Sequence, residues 1–256
     1  TGAGKSNALA VLVAEIMRKY EYSRVILVDT HSEYTPLALN PSFRAAVYVP
    51  RGEMAKIMEE QYGIKVNHLE IPIWILGFEE VAGLLRLDSK ATKQRLYLRD
   101  AMRNARRRRY PSARVDDPIY YTIDDLIEEA KALARDPSAL DLQVKLNELK
   151  ENDELNFLTR TDESEKIYQS YSSLSEPERS LTVYTEVVSR MLEPRLNIIS
   201  LGGLSSEVQV SIVSTLLKAI FKIIVSQRLR GLTLPTLIAV EEAHLYAPKG
   251  RWTAAR

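Results

Sequence analysis

Three short stretches carry side chains whose types and spacing could handle a phosphate and a hard cation. The first opens the chain, Thr1-Gly2-Ala3-Gly4-Lys5-Ser6-Asn7. Glycines let backbone N–H groups converge on phosphate oxygens without interference from Cβ, and a helix starting there aims its positive N-terminal dipole at the same anion. In such a loop Gly2, Ala3, Gly4, Lys5, Ser6 and Asn7 line the phosphates, Lys5 reaches the β- and γ-phosphates, and the Ser6 hydroxyl ligates Mg²⁺. The full spacing G-x-x-x-x-G-K-[ST] requires a first glycine ahead of Thr1, so the sequence reads as a piece of a longer protein. The plainer alternative is an ordinary helix N-terminus with a glycine-rich entry.

The second stretch is Thr236-Leu237-Ile238-Ala239-Val240-Glu241-Glu242-Ala243-His244, an apolar run ending in paired acids. One carboxylate can hold Mg²⁺ through its water shell, and its neighbour can orient and deprotonate an attacking water. Glu241 is assigned to the metal and Glu242 to the base. Strand side chains alternate faces, so both acids can serve one site only if the strand ends there. Two solvated glutamates at a strand end are the bland reading.

The third is Asp29-Thr30-His31-Ser32-Glu33-Tyr34, which follows the apolar run Arg24-Val25-Ile26-Leu27-Val28. Its acids and imidazole, with Glu241, Glu242 and His244, raise the question of zinc. The chain has 3 histidines and no H-E-x-x-H pattern, so Mg²⁺ with oxygen ligands fits better.

These stretches need a scaffold. Leu9, Leu12, Val13 and Ile16 recur at helical spacing, so the phosphate loop opens a helix from Ser6 to Lys19. Arg24–Asp29 reads as a strand buried on both faces of a parallel sheet, with its polar tail at the edge where open α/β sheets place ligands. Ala45–Val49 and Leu69–Trp74 read as further strands, the second weakened by Pro72. A short helix fits Glu53–Tyr62.

From about Gly77 to Pro194 the chain is charged and rich in helix formers, and reads as a helical insertion. Thr122-x-x-Asp125, Ser175-x-x-Glu178 and Asp136-Pro137 signal helix starts. Asn152–Ser173 is polar and acidic and is expected to be mobile in parts. Leu196–Leu201 then gives another strand with Gly202-Gly203 as its turn, and a heavily buried helix follows from Ser205 to Arg228.

Composition limits the partners. With 35 basic and 34 acidic residues, any nucleic-acid contact must be local. The absence of cysteine excludes disulfides and thiolate metal sites and suits a reducing compartment. Val208–Val225 is apolar but interrupted by Lys218 and Lys222, so no membrane span is expected. Arg106-Arg107-Arg108-Arg109 is a dense basic run; it either complements a helix dipole in solvent or contacts DNA phosphates.

Taken together, the three motifs, ending in Glu241-Glu242-Ala243-His244-Leu245-Tyr246-Ala247-Pro248, resemble those of the HerA branch of the HerA/FtsK superfamily of DNA-translocating ATPases. In that family a P-loop, a D-x-H-G-E-Y-like motif and a D/E-E-A-H-x-x-x-P Walker B follow in this order, with a helical insertion before the third. Ser32 stands in place of the usual glycine and Glu241 in place of the commoner aspartate. The resemblance implies a RecA-like P-loop NTPase core, α/β with a mostly parallel sheet, formed by residues 1–76 and 194–256 and interrupted by the helical subdomain 77–193. It further implies ATP and Mg²⁺ as cofactors and a cytoplasmic, homo-oligomeric ring, hexameric in the family, that pumps double-stranded DNA with a NurA-type nuclease in DNA-end resection. Asp29, His31 and Glu33 would sit near the nucleotide, supporting the metal or the water, or else Asp29 and Ser32 simply end the strand and start a turn. Arg251 and Arg256 are candidates for an arginine finger by position alone. The strand before the P-loop and the sensor strand after Walker B are expected beyond the sequence, and without them an isolated polypeptide should not fold stably. A conjugation- or secretion-type motor of the same superfamily, or an ATP-binding scaffold that recruits a nuclease without turnover, are the rival readings.

Overall fold

The computed structural model describes residues 3–50, 52–133, 136–193 and 195–246, with Ala3 and Lys5 described in backbone only. Contacts divide the chain into two units. One comprises the residues up to Leu69, Val188–Ser205 and the chain from Leu217; the other comprises Glu70–Val187 and Ser206–Leu216.

The first unit is built on a sheet whose strands all run parallel. They are β1 (Arg24–Asp29), β2 (Ala46–Val49), β3 (Val66–His68), β4 (Leu196–Ser200) and β5 (Thr236–Val240), in the order β3-β2-β4-β1-β5. Every residue of β1, β2 and β4 is buried, which is why these segments are continuously apolar rather than alternating. Helix α1 (Ala3–Lys19) contributes Val13 and Met17 to a core with Val25, Leu27, Val47 and Ile198, and α2 (Glu53–Glu60) adds Ala55 and Met58. The mostly parallel α/β architecture expected of the sequence is therefore present.

One expected strand is displaced. The third edge strand is Val66–His68, and Ile73–Ile75 forms a single 3₁₀ turn instead of continuing a strand from Leu69. Pro72 has no N–H to give a ladder, and Ile71, Ile73 and Trp74 bury their side chains in the second unit.

The second unit is helical, with α3 (Phe78–Leu84), α4 (Thr92–Arg107), α5 (Ile123–Ala132), α6 (Pro137–Glu151), α7 (Asn156–Thr159), α8 (Asp162–Ser170) and α9 (Glu178–Ser189). The helix starts carry the caps their sequences advertise. Thr122 and Asp125 form a reciprocal capping box, and the Asp136 carboxylate accepts from the N–H groups of Ser138 and Ala139. The acidic stretch after Asn152 is folded into a 3₁₀ turn and the short helices α7 and α8.

Helix α10 (Ser206–Leu229) has its first eleven residues in the helical unit and the remainder in the sheet unit. Contrary to the sequence expectation, Lys218 and Lys222 leave it long and apolar enough to cross a membrane by length and composition. Its apolar side chains Val208, Ile212, Val213, Leu216, Ile220 and Ile223 are nonetheless buried within the protein.

Candidate functional site

Parallel strands bring their C-terminal ends to one edge, and the register decides which residues meet there. Asp29 pairs with Ser200, and Val28 pairs with Val240. The chain segments leaving β1, β4 and β5 therefore emerge side by side. Beyond the ladder, the N–H of Glu241 still donates to the Val28 carbonyl at 3.1 Å.

The turn after β1 is organised by two carboxylates. Asp29 is fully buried, and its two oxygens accept from the Glu33 N–H at 3.0 Å and the Tyr34 N–H at 2.9 Å. Glu241 reaches across from β5, and its Oε2 accepts from Thr30 N–H at 3.0 Å, Thr30 Oγ1 at 2.9 Å and His31 N–H at 3.3 Å. The side chains of His31 and Glu33 are exposed. Asp29 thus caps the turn with both its oxygens, as the plainer of the two sequence readings requires. Thr30 was the residue missed. It stands within the motif, but its role depends on a partner 211 positions away, which no local pattern discloses.

Burial lifts the Asp29 carboxyl to about 6, the amides of Tyr34 and Glu33 opposing the rise and the nearby Glu241 charge adding to it. The folded-state value lies above the ordinary one, so this group's contribution to stability is complete in acid and is lost as the pH climbs through about 6. Relative to Asp29→Asn, the metal-free wild type is therefore expected to lose on the order of 3 kcal/mol of unfolding free energy between pH 4 and pH 7. Parallel denaturation curves of the two proteins across this range check it, and a pH-independent difference would show that the carboxyl is not perturbed.

Ser32 occupies the left-handed region, with φ 62°, and its hydroxyl lies 2.7 Å from that of Ser200. This is a conformation that glycine adopts without cost. The close approach is accommodated on the other side, since a Cβ on Gly202 would collide with the Ser32 hydroxyl.

Gly4, Lys5 and Ser6 lie in the first turn of α1, where backbone N–H groups have no partner inside the helix. The Ser6 side chain lies beside the Tyr34 phenol, and the charges of Glu241, Asp29 and Glu33 all act on that phenol. The start of α1, the β1 turn and the end of β5 thus share one neighbourhood. Asn7 is exposed on the same helix.

Strand β5 stops at Val240, which satisfies the condition for neighbouring acids to serve one site. Glu242 adopts a left-handed backbone, φ 49° and ψ 39°, and its Oε2 lies 3.0 Å from His244 Nδ1. Such a conformation costs a non-glycine residue about 1–3 kcal/mol and is typically retained where function needs the geometry. Tyr246 is buried close by, its hydroxyl raised to about 12 by burial and by the charges of Glu241 and Glu242.

The donor set suits magnesium. Ser6, Glu241 and Glu242 offer oxygen only, and among the described residues no three His, Cys, Asp or Glu side chains gather to hold a metal by themselves. Mg²⁺ ordinarily keeps much of its water and takes ligands from a nucleotide's phosphates, so it needs few protein groups. Gly2, the Ala3 and Lys5 side chains, Pro248, Arg251 and Arg256 lie outside the described residues.

The basic run takes a structural form. Arg106 is fully buried, with Nε donating to Asp117 O at 2.7 Å, Nη1 to Met102 O at 3.1 Å, and Nη2 to Trp74 O and Leu76 O at 3.3 Å each. Its guanidinium sits 4.6 Å from the Tyr121 ring centre. Both sequence readings, a solvated partner of the helix dipole and a DNA contact, are corrected for Arg106, because the side chain has no exposed surface to offer. Arg107 donates to Ala113 O, Arg108 pairs with Glu128 and Glu129, and Arg109 pairs with Asp125 while covering Tyr120. These three remain exposed at the surface.

Known proteins resemble this chain in sequence and in fold. Two probable helicases of Methanocaldococcus jannaschii are similar: MJ1565 is 26% identical over 262 residues and MJECL08 is 25% identical over 280 residues. They cover 100% and 97% of this chain, which spans only 43% and 45% of their lengths. VirB4 of Thermoanaerobacter pseudethanolicus shares the fold, with a TM-score of 0.54 over 95% of this chain and 82% of that one at 16% identity. The model of the Helicase HerA central domain matches residues 1–220, and the chain belongs to that family.

Proposed function

We propose that this chain is the greater part of the motor core of an ATP-driven translocase or helicase acting on double-stranded DNA. The observation that carries the reading is the meeting of Ser6, Tyr34, Glu241 and Glu242 at the C-terminal edge of the parallel sheet, on a chain of the HerA family. The ATPase core would comprise residues 1–76 and 194–256, with 77–193 as the helical insertion.

Within it, the first turn of α1 receives the phosphates through free N–H groups, aided by Lys5. The Ser6 hydroxyl and the Glu241 carboxylate would hold Mg²⁺, which when bound neutralises developing phosphate charge. Glu242 orients the attacking water and takes its proton, and His244 steadies that carboxylate. A homo-oligomeric, hexameric ring in the cytoplasm working with a NurA-type nuclease in DNA-end resection completes the reading.

The test is phosphate release by the full-length protein with and without duplex DNA. Release that rises on adding DNA is the expected result. ATP binding without release under either condition would favour a nucleotide-gated scaffold. Turnover indifferent to DNA would favour a motor for another substrate, of the conjugation or secretion type.

A further inference from the structure

The turn after β1 poses an accounting problem that two acids solve. Its N–H groups at Thr30, His31, Glu33 and Tyr34 need acceptors, and a buried amide left without one is costly. Asp29 supplies both oxygens to Glu33 and Tyr34. Glu241 supplies a single oxygen, Oε2, to Thr30 and His31, and the Thr30 hydroxyl adds a further donor to that same oxygen. Oε1 takes no part in these bonds.

From this division of labour we infer that Thr30 is a positioning residue for Glu241: its N–H and hydroxyl hold Oε2, so that the carboxylate meets the metal–nucleotide complex through Oε1. The inference rests on the nucleotide reading above. Thr30 is 1% exposed, so its donors have no competing water, and hydrogen bonds to a carboxylate are about twice as strong as neutral ones. The geometry also accounts for glutamate at position 241. The adjoining N–H of Glu241 is tied to Val28, two residues short of Thr30, and the carboxylate must cross from β5 to the turn beyond β1. Aspartate, one methylene shorter, would have less reach to that turn.

The test compares Thr30→Val, which removes the hydroxyl at constant shape, with Thr30→Ser, which keeps it, in the full-length protein. Mn²⁺ serves as a paramagnetic probe for the cation, titrated with ADP present, and ADP affinity is measured separately in a chelator. Thr30→Val is expected to weaken Mn²⁺ binding about tenfold, equivalent to ~1.4 kcal/mol, with ADP affinity in chelator unchanged and Thr30→Ser close to wild type. Glu241→Asp should show a similar loss, and the double variant Glu241→Asp/Thr30→Val should lose no more than either alone, a coupling that general destabilisation would not produce. Unchanged Mn²⁺ affinity in Thr30→Val, or additive losses in the double variant, would overturn the positioning role alone. Failure of the wild type to bind ADP with Mn²⁺ would overturn the nucleotide reading and this inference together.

Discussion

Replacing Glu242 by glutamine in the full-length protein is expected to slow phosphate release by about 10²–10⁴-fold while leaving ATP binding in place. The substitution keeps the size and most of the hydrogen-bonding capacity of the side chain and removes only its ability to take a proton. The place of Glu242 makes the expectation specific. Strand β5 ends at Val240, and the left-handed backbone at Glu242 turns the chain sharply just where a continued strand would send the two acids to opposite faces. Glu241 is held by Thr30 and His31, whereas Glu242 has the exposed imidazole of His244 as its neighbour. The arrangement separates an anchored acid from one free to work. Single-turnover phosphate release beside equilibrium nucleotide binding makes the measurement, and wild-type turnover in Glu242→Gln would remove this residue from the role of base.

The second large effect lies in the helical unit. Arg106→Met is expected to destabilise that unit by about 2–5 kcal/mol, since each buried carbonyl left without a donor costs about 1–3 kcal/mol. Methionine fills much of the volume but removes the donor held by the carbonyls of Trp74 and Leu76, and one of the donors to Asp117 O, which still accepts from Ile119 N–H, and to Met102 O. Lysine should not rescue it, because a single ammonium cannot serve acceptors spread around a planar fork. Amide hydrogen exchange over residues 74–76 and 102–121 reads the effect locally. Protection equal to wild type in Arg106→Met would show that these bonds do not hold the unit together.

The run of arginines shows where reading a sequence stops. Four successive charges look like a solvated surface, and the burial of Arg106 is invisible because its partners are backbone carbonyls, which carry no residue identity. Strands β1 and β4 were plain from their composition, since burial on both faces of a parallel sheet demands unbroken apolar runs, and β5 was plain as an apolar run although it is only half-buried. The capping box at Thr122 was equally plain, being a contact over three residues. Leu69–Trp74 misled because Ile71, Ile73 and Trp74 fill the helical unit rather than a sheet. At the candidate site the charged residues announced themselves by type, but the hold of Thr30 on Glu241 did not. It depends on two strands becoming neighbours across most of the chain.

That neighbourhood has a consequence for how the protein is made. β1 lies between β4 and β5, and both are synthesised after the helices α3 to α9. At translation rates of roughly 5–20 residues per second, β1 waits on the order of 10–40 s for its second partner. During that interval the segment Arg24-Val25-Ile26-Leu27-Val28 is a nascent strand with an open edge, apolar and almost uncharged, the kind of segment that pairs with the wrong chain. The helices of the second unit make largely local contacts and can form meanwhile. Assembly of the site is thus a late event in biosynthesis, and a chaperone that shields β1 from the ribosome onward would act on the step that decides between the native sheet and aggregation.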